Sequence, residues 1–390
     1  MIDRAGKECC GCAVCVNICP KHCIRMAQNE EGFFYPEIQV ENCVNCGACE
    51  KVCPVLEGRY VANTDLKETW AVQNTDQGIL MNSSSGGMFT ALACVVFDMS
   101  GCVFGAAFSE DFKRLHHIMA ETPEELHRLR GSKYLQSETE KCYLLAEEQL
   151  KQDRWVLFCG TPCQIAGLRG FLGRDFDRLI MVDVICHGTP SVLLWQAYLK
   201  HIEDKIGGRA VAVSFRDKKE GWKNFGIKIT TEGEKVYYCP RQKDPYMKMF
   251  LKNICLRESC YHCKVKETGP VSDITIGDLW GAEKIIPEMD STFGISLAVV
   301  HTEKGRQFFE KMKESMAVAS VDYVQALSYN PVMVRSVKRP DERDSFFSVL
   351  HTSSWPILEK RYVKDKLSTV IKCRISKSVF GKMIRVFSQK

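Results

Sequence analysis

The apolar and polar positions divide the chain into regions of different texture. The first sixty residues are organised by an internal repeat, and within them Ile24–Ala27 and Phe33–Val40, separated by the turn residues Asn29–Gly32, read as a short hairpin. From Thr69 onward apolar strands alternate with helical patterns, which predicts α/β architecture with a largely parallel sheet. Trp155–Phe158 and Leu179–Ile185 are the clearest buried strands, each followed by a Gly/Pro loop and an amphipathic segment. The two loops resemble one another, as Cys159-Gly-Thr-Pro-Cys163 and Cys186-His-Gly-Thr-Pro190. Ala210–Phe215, Phe225–Thr230 and Val236–Cys239 alternate as antiparallel strands around Glu232-Gly233, so the sheet is expected to be mixed. After Trp355 the pattern becomes a basic helix with Val370, Ile371, Ile375, Val379, Met383 and Val386 near one face. The expected organisation is a small domain over 1–60, a polar junction over 60–68, an α+β or α/β body over 69–345 (parts 69–150 and 151–345), and a basic helical tail over 346–390.

Composition narrows the class. With 390 residues, 45% hydrophobic and 26% charged, this is a soluble globular chain of two or three domains, and collagen-like, disordered and coiled-coil classes fall away. The chain holds 21 cysteines and is far too large for a disulfide-stapled mini-protein, so metal or redox chemistry is their expected use. No apolar core follows the basic start MIDRAGKECCGC, so no secretory signal is expected, the thiols should stay reduced, and the location should be cytoplasmic. The longest apolar stretches, Phe89–Phe97 and Leu179–Ile185, fall short of the roughly 20 residues a membrane span needs. Net charge is +5, yet residues 359–390 alone carry ten Lys/Arg against two Asp/Glu. With the excess of basic over acidic residues confined to the tail, no nucleic-acid footprint is expected on the folded domains.

The repeat carries the first chemistry. Cys9-x2-Cys12-x2-Cys15-x3-Cys19-Pro20 recurs as Cys43-x2-Cys46-x2-Cys49-x3-Cys53-Pro54. Each run has the bacterial ferredoxin spacing, in which three close thiolates hold three corners of a cubane and the fourth, before Pro, ligates the other cluster. That crossing predicts one [4Fe-4S] cluster on Cys9, Cys12, Cys15 and Cys53 and another on Cys43, Cys46, Cys49 and Cys19. Zinc is the other metal that soft thiolates suit, but zinc pairs are separated by longer spacers and need no interlocked runs. Cys10 and Cys23 fall outside the spacing and read as packing thiols. Interlocked ligands would also fold so small a domain, whose own core is slight.

Thr69 to about Tyr329 resembles the coenzyme F420 hydrogenase/dehydrogenase beta-subunit family, fused behind a two-cluster ferredoxin domain. The resemblance rests on Ser83-Ser-Ser-Gly-Gly-Met-Phe-Thr90, Gly131-Ser-Lys-Tyr134, Thr161-Pro-Cys-Gln164, Ile185-Cys-His-Gly188, Ser259-Cys-Tyr-His-Cys263 and Ser272-Asp-Ile-Thr-Ile-Gly-Asp278. Members of that family bind FAD and a [4Fe-4S] cluster. The resemblance therefore implies a third cluster on Cys163, Cys186, Cys260 and Cys263, with Cys159 and Cys255 as alternative ligands. The residues permit this independently, since Cys163 and Cys186 sit just past two strands, where open α/β sheets build their sites. It also implies a flavin pocket from Ser84, Ser85, Gly86, Gly87, Thr90, Ser132, Lys133 and Tyr134. The Ser83–Gly87 run precedes a helical pattern whose exposed N–H groups suit a pyrophosphate. His187 and Lys133 are the candidate catalytic groups, as proton shuttle and cation. Phe215-Arg-Asp-Lys218 reads either as the substrate side of the flavin or as a solvated hairpin, and Asp278 and Trp280 belong to the family pattern without an assigned step.

The expected function is an oxidoreductase coupling two-electron FAD chemistry to one-electron transfer through clusters. Its partners would be a ferredoxin-like or other redox protein and a small organic redox substrate, with coenzyme F420 or a ferredoxin-linked substrate as alternatives. The reading from another class is a non-catalytic subunit relaying electrons within a larger complex. The basic tail suggests peripheral contact with an anionic inner-membrane surface or an acidic partner, or a helix packed back on the body.

Overall fold

The structure, a computed structural model, describes residues 1–56 and 66–363; most of the polar junction and the tail positions from Val370 to Val386 lie outside the described residues. The N-terminal segment forms the expected hairpin, β1 (Ile24–Gln28) against β2 (Phe34–Ile38), antiparallel with Met26 opposite Pro36. Its turn is closed by Asn29, whose Oδ1 accepts from the Phe33 N–H at 2.9 Å.

The body contains β3 (Glu68–Asn74), β4 (Cys102–Phe108), β5 (Leu115–Ala120), β6 (Ser137–Glu138), β7 (Val156–Gly160), β8 (Leu179–Val184), β9 (Ala210–Asp217), β10 (Gly226–Thr231), β11 (Val236–Pro240), β12 (Ile274–Asp278), β13 (Ser296–Val300) and β14 (Met316–Ser320). Nine of them form one mixed sheet in the order β14-β3-β13-β12-β8-β7-β4-β5-β6. The centre, β12, β8, β7 and β4, is parallel, and β13, β3 and β14 add an antiparallel flank. The β9–β11 segments are antiparallel as expected, but they stand apart as a three-stranded sheet of their own. They stand apart because their apolar faces, with Phe215, Ile227 and Ile229, pack into an aromatic core with Trp195, Tyr198 and Tyr246, away from the aliphatic core of the main sheet.

Parallel strands are buried on both faces, and the central ones read accordingly as unbroken apolar runs. Leu157, Ile180 and Val182 face one layer with Leu92, Val96, Phe308 and Phe309, while Phe104, Phe158 and Met181 face another with Tyr143, Ile165 and Leu168. Helix Pro162–Leu172 follows β7, and Thr161 caps it by the reciprocal arrangement in which Gln164 Oε1 accepts from the Thr161 N–H at 2.9 Å.

The boundary expected at 345/346 does not hold for the described residues. Helix Glu342–Leu350 crosses it, and Phe346 and Leu358 are fully buried in the aromatic core. Residues 346–363 therefore belong to the body.

The N-terminal segment is docked on that body. Arg257, fully buried, donates from Nε to the Cys9 carbonyl at 2.6 Å and from Nη2 to the Phe34 carbonyl at 2.9 Å, with its guanidinium 4.2 Å from the Tyr35 ring centre. Thr139 donates to the Cys12 carbonyl at 2.9 Å and Asn17 to the Glu140 carbonyl at 2.7 Å. Arg343, 1% exposed, grips Glu31 with both terminal nitrogens at 2.8 and 2.7 Å. Phe33 enters the aromatic core, 5.8 Å from Phe347.

Arg257→Ala would remove donors from the Cys9 and Phe34 carbonyls, of which the first would keep only Ser259 Oγ at 3.1 Å. A cost of about 3 kcal/mol is expected, with faster amide hydrogen exchange in residues 9–36 and little change in β3, β13 and β14. Uniform exchange across both regions would show that the arginine does not hold this interface.

Candidate functional site

The two repeats bring their thiols together crosswise. Cys19, Cys43, Cys46 and Cys49 line one pocket of about 200 Å³, with Cys46 at the surface. Cys23, expected as a packing thiol, lines the same pocket with its Sγ 3.4 Å from that of Cys19. Cys9, Cys12, Cys15 and Cys53 form the other group: burial, and then the neighbouring thiols Cys9 and Cys53, push the Cys15 thiol far above its usual range. Cys53 is raised the same way, by burial with Cys9 and Cys49 beside it. Thiols this crowded resist losing their protons together unless a cation joins them, which is the chemistry of a metal-cluster donor set.

Four further cysteines meet in the body. Cys163 lies in the first turn of helix Pro162–Leu172, its Sγ 3.2 Å from Thr161 Oγ1. Cys186 follows β8, its carbonyl held by Lys266 Nζ at 2.6 Å. An antiparallel bridge between Pro190 and Leu256 brings the next loop alongside, so that the Thr189 N–H donates to Cys260 Sγ at 3.3 Å, and Cys263 is fixed by its N–H on Ser336 Oγ at 2.9 Å. Burial raises Cys186 most, followed among the thiols by Cys260, Cys163 and Cys263, so all four share one neighbourhood. Cys159, in β7, is pushed up to about 12 by burial with Asp183 and Lys133 as neighbours, and Cys255 is fully buried in the aromatic core. Neither has one of those four thiols among the groups acting on it.

Beside Cys163 and Cys186 opens a cavity of about 450 Å³ at the C-terminal ends of the parallel strands. Ser84, Ser85, Gly87, Thr90, Ser132, Lys133, Tyr134 and His187 line it. Gly86 does not. Its backbone passes so close to β3 and β13 that a Cβ would sit 2.2 Å from the Val72 carbonyl oxygen, and its N–H donates to Ser296 Oγ at 2.9 Å. It shapes the loop from behind. Helix Met88–Asp98 begins at Gly87 without a side-chain cap, leaving its first N–H groups at the cavity wall. Thr90 Oγ1 and Arg130 Nε, both at this wall, are buried without a hydrogen-bond partner. Free donors around an uncapped helix start fit the phosphates of a dinucleotide, so the residues present suit FAD.

The Phe215–Lys218 segment is no solvated hairpin. Arg216 is buried, clasps Asp278 at 2.7 and 2.9 Å, and donates to the Ser84 carbonyl and to Tyr134 Oη at 3.1 Å each. Trp222 Nε1 also donates to Asp278 at 3.0 Å, and its ring stacks on Trp280 at 5.1 Å. Lys218 Nζ donates to the carbonyls of Leu80 and Ser85, and burial lowers it to about 8. These two cations hold the Ser83–Gly87 loop, and Asp278 gains the role that sequence left open.

Lys133 Nζ donates to the carbonyls of Leu129, Arg130 and Gly131, and burial lowers it to about 7. His187 Nε2 lies 2.7 Å from Asn253 Oδ1, and burial lowers the ring below its usual value. His117, Arg130 and Arg241 also line the cavity and were not foreseen. His117 bridges Ser137 Oγ at 2.8 Å and the Cys159 carbonyl at 3.0 Å, and burial holds it near 4. Only its inward register on β5 distinguishes it from His116 in the sequence.

Two cysteine groups in a ferredoxin-like segment, docked on an α/β body with a third group and a cavity, define an iron-sulfur electron-transfer protein. Residues 8–56 match the 4Fe-4S dicluster domain, 69–142 the N-terminal part of the coenzyme F420 hydrogenase/dehydrogenase beta subunit, and 153–325 its C-terminal part. The chain belongs to the coenzyme F420 hydrogenase/dehydrogenase beta-subunit family. It is 22% identical over 328 residues to one of the subunits of the F(420)H(2) dehydrogenase of Methanosarcina mazei, covering 80% of this chain and 84% of that one. An uncharacterised protein of Methanocaldococcus jannaschii is 25% identical over 343 residues, covering 78% and 86%. The ferredoxin segment is 44% identical over 43 residues to a 7Fe ferredoxin of Hydrogenibacillus schlegelii, 11% of this chain and 49% of that one. A chain of the F420-reducing [NiFe] hydrogenase complex from Methanosarcina barkeri aligns with TM-score 0.45 and 16% identity, over 72% of this chain and 98% of that one. No helix among the described residues is long and apolar enough to cross a membrane.

Asp278→Asn would leave the buried Arg216 guanidinium without its counter-charge. A loss of about 3 kcal/mol is expected, read as a lower denaturant midpoint, with earlier proteolysis of the 80–90 loop. An unchanged midpoint would mean that the pair does not anchor the loop.

Proposed function

We propose that this protein is a flavin-dependent oxidoreductase in which two-electron chemistry in the cavity is coupled to one-electron transfer through three cysteine cages. The observation that carries the reading is that Cys163 and Cys186 share a wall with the unpartnered donors of the dinucleotide end. FAD, when bound, exchanges a hydride with an organic partner and single electrons with a cluster. [4Fe-4S] clusters would be held by Cys9, Cys12, Cys15 and Cys53, by Cys19, Cys43, Cys46 and Cys49, and by Cys163, Cys186, Cys260 and Cys263.

The chain's own residues do the positioning. Thr90 and the helix start at Gly87 hold phosphate, while Ser84 fixes the facing loop by accepting from the Ser132 N–H at 2.6 Å. Tyr134 lends a ring edge to the cavity and is itself braced by Phe215 and Phe250. Lys133 Nζ, held by three carbonyls and lowered by burial to about 7, is the cation of this wall, whereas His187 stays neutral and orients through Asn253. The substrate is coenzyme F420 or another small organic hydride carrier, a choice supported by the family and by the Methanosarcina mazei relative, which belongs to an F(420)H(2) dehydrogenase. An external ferredoxin-like protein or a partner subunit would meet the surface cage at Cys46.

The test is the flavin released by acid from anaerobically purified full-length protein, with iron and sulfide measured alongside. About one FAD and about twelve iron per chain are expected, and Thr90→Ala should weaken FAD retention about tenfold by removing a donor that nothing else satisfies. Twelve iron with no flavin, even after reconstitution with FAD, would replace this reading with a relay subunit that carries electrons and performs no small-molecule chemistry.

A further inference from the structure

The charges around the cavity do not balance. Arg130, Lys133, Arg216 and Arg241 line it, and among the described lining residues Asp278 is the one carboxylate. That carboxylate is already taken, accepting from both terminal nitrogens of Arg216 and from Trp222 Nε1. Lys133 is satisfied by its three carbonyls. Arg241 is not matched in this way: among the described residues its guanidinium meets no carboxylate and donates no hydrogen bond, and its contacts are with aromatic rings.

The small sheet positions this arginine. It follows β11, and its N–H donates at 3.0 Å to the carbonyl of Phe225, the residue just ahead of β10. Its half-buried guanidinium lies 4.9 Å from the Phe225 ring centre and 5.4 Å from that of Trp280, while Arg216 lies 3.9 and 5.7 Å from the same two. Trp280 is itself fixed by the fully buried Trp222, stacked within 7° of parallel, and Gly294 leaves room for that stack, since a Cβ there would sit 2.9 Å from Trp222 Cδ1. Rings occupy the faces of a guanidinium and leave its in-plane N–H fork free, the arrangement that takes a phosphate or carboxylate through two hydrogen bonds. Two cations on one pair of rings, with a single carboxylate bound to the other of them, leave a positive charge unanswered at this wall. The phosphates of FAD have donors elsewhere, in the helix start at Gly87, Thr90 and Arg130, which belong to segments following β3 and β5 of the main sheet.

We propose that Arg241 selects the small-molecule partner of the cavity, pairing with a phosphate or carboxylate on the side chain of an anionic hydride carrier. A carrier without that group binds more weakly. The inference rests on the reading of the cavity as the place where FAD meets an organic partner.

The experiment uses full-length protein, purified anaerobically and loaded with FAD, as wild type, Arg241→Gln and Arg241→Lys, with FAD and iron measured for each. Equilibrium dialysis gives the affinity for two probes: coenzyme F420, whose side chain bears a phosphodiester and carboxylates, and the same deazaflavin cut back to an uncharged side chain. Equal FAD and iron are expected in all three proteins. Wild type should bind the charged probe about tenfold or more tightly than the uncharged one, and Arg241→Gln should weaken the charged probe about tenfold to a hundredfold. Arg241→Lys, which keeps the charge and loses the fork, should fall between. The uncharged probe should bind all three alike, and added salt should weaken the charged probe alone. If Arg241→Gln loses iron as well as FAD, the same comparison is read on Arg241→Lys. Equal affinity of wild type for the two probes, failure of wild type to bind either, or equal weakening of both by the substitution overturns the inference. So does loss of FAD with iron retained, which would give Arg241 to the cofactor. Wild-type protein that takes up no flavin overturns the reading beneath the inference and the inference with it, before any variant is compared.

Discussion

The arrangement depends on one buried cation. Arg257 stands between the N-terminal segment and the body, holding the Cys9 and Phe34 carbonyls and stacked over Tyr35, and its charge also bears on Cys163 and Cys260. A guanidinium without water is costly, and neutral carbonyls offset only part of that cost. Part of the remainder is met on the body side, where its charge lowers the Cys163 and Cys260 thiols. The same residue therefore makes the interface and favours the ionised form of the body thiols beside it.

Around this contact the cavity is assembled from distant parts of the chain. The Ser83–Gly87 loop is held from the far side by Arg216 and Lys218, which come from the edge of a separate sheet, and Arg216 is in turn fixed by Asp278 at the end of β12. Buried cations bonded to backbone carbonyls set the shape of the wall, while Thr90 Oγ1, Arg130 Nε and Arg216 Nε, in residues of the same wall, are buried without a hydrogen-bond partner.

Much of this was legible in the sequence where the signal is local. The β1–β2 hairpin follows from a turn between alternating segments, β7 and β8 from unbroken apolar runs, and the crossed thiols of the N-terminal segment from a spacing that admits few other arrangements. What escaped is non-local. Nothing near Arg257 or Arg343 announces partners more than 200 residues away. Arg216 and Lys218 look like surface charges until the carbonyls they satisfy are seen. Gly86 sits in a run that reads as a ligand-binding loop, yet it is glycine because β3 and β13 leave no room for a Cβ. The end of the body was misplaced because a basic composition further on hid the apolar stripe of Phe346, Leu350 and Leu358.

The three cages differ in one respect that bears on how the protein fails. Cys46 is at the surface and the exposed Val40 and Val44 leave its loop thinly covered, whereas Cys12, Cys15 and Cys53 are buried, and Cys163 and Cys186 are half-buried. Oxidants and chelators would reach the outer thiols first. Damage would then begin at the exposed outer group and reach the buried Cys12, Cys15 and Cys53 later, much as a fuse gives way before the circuit behind it.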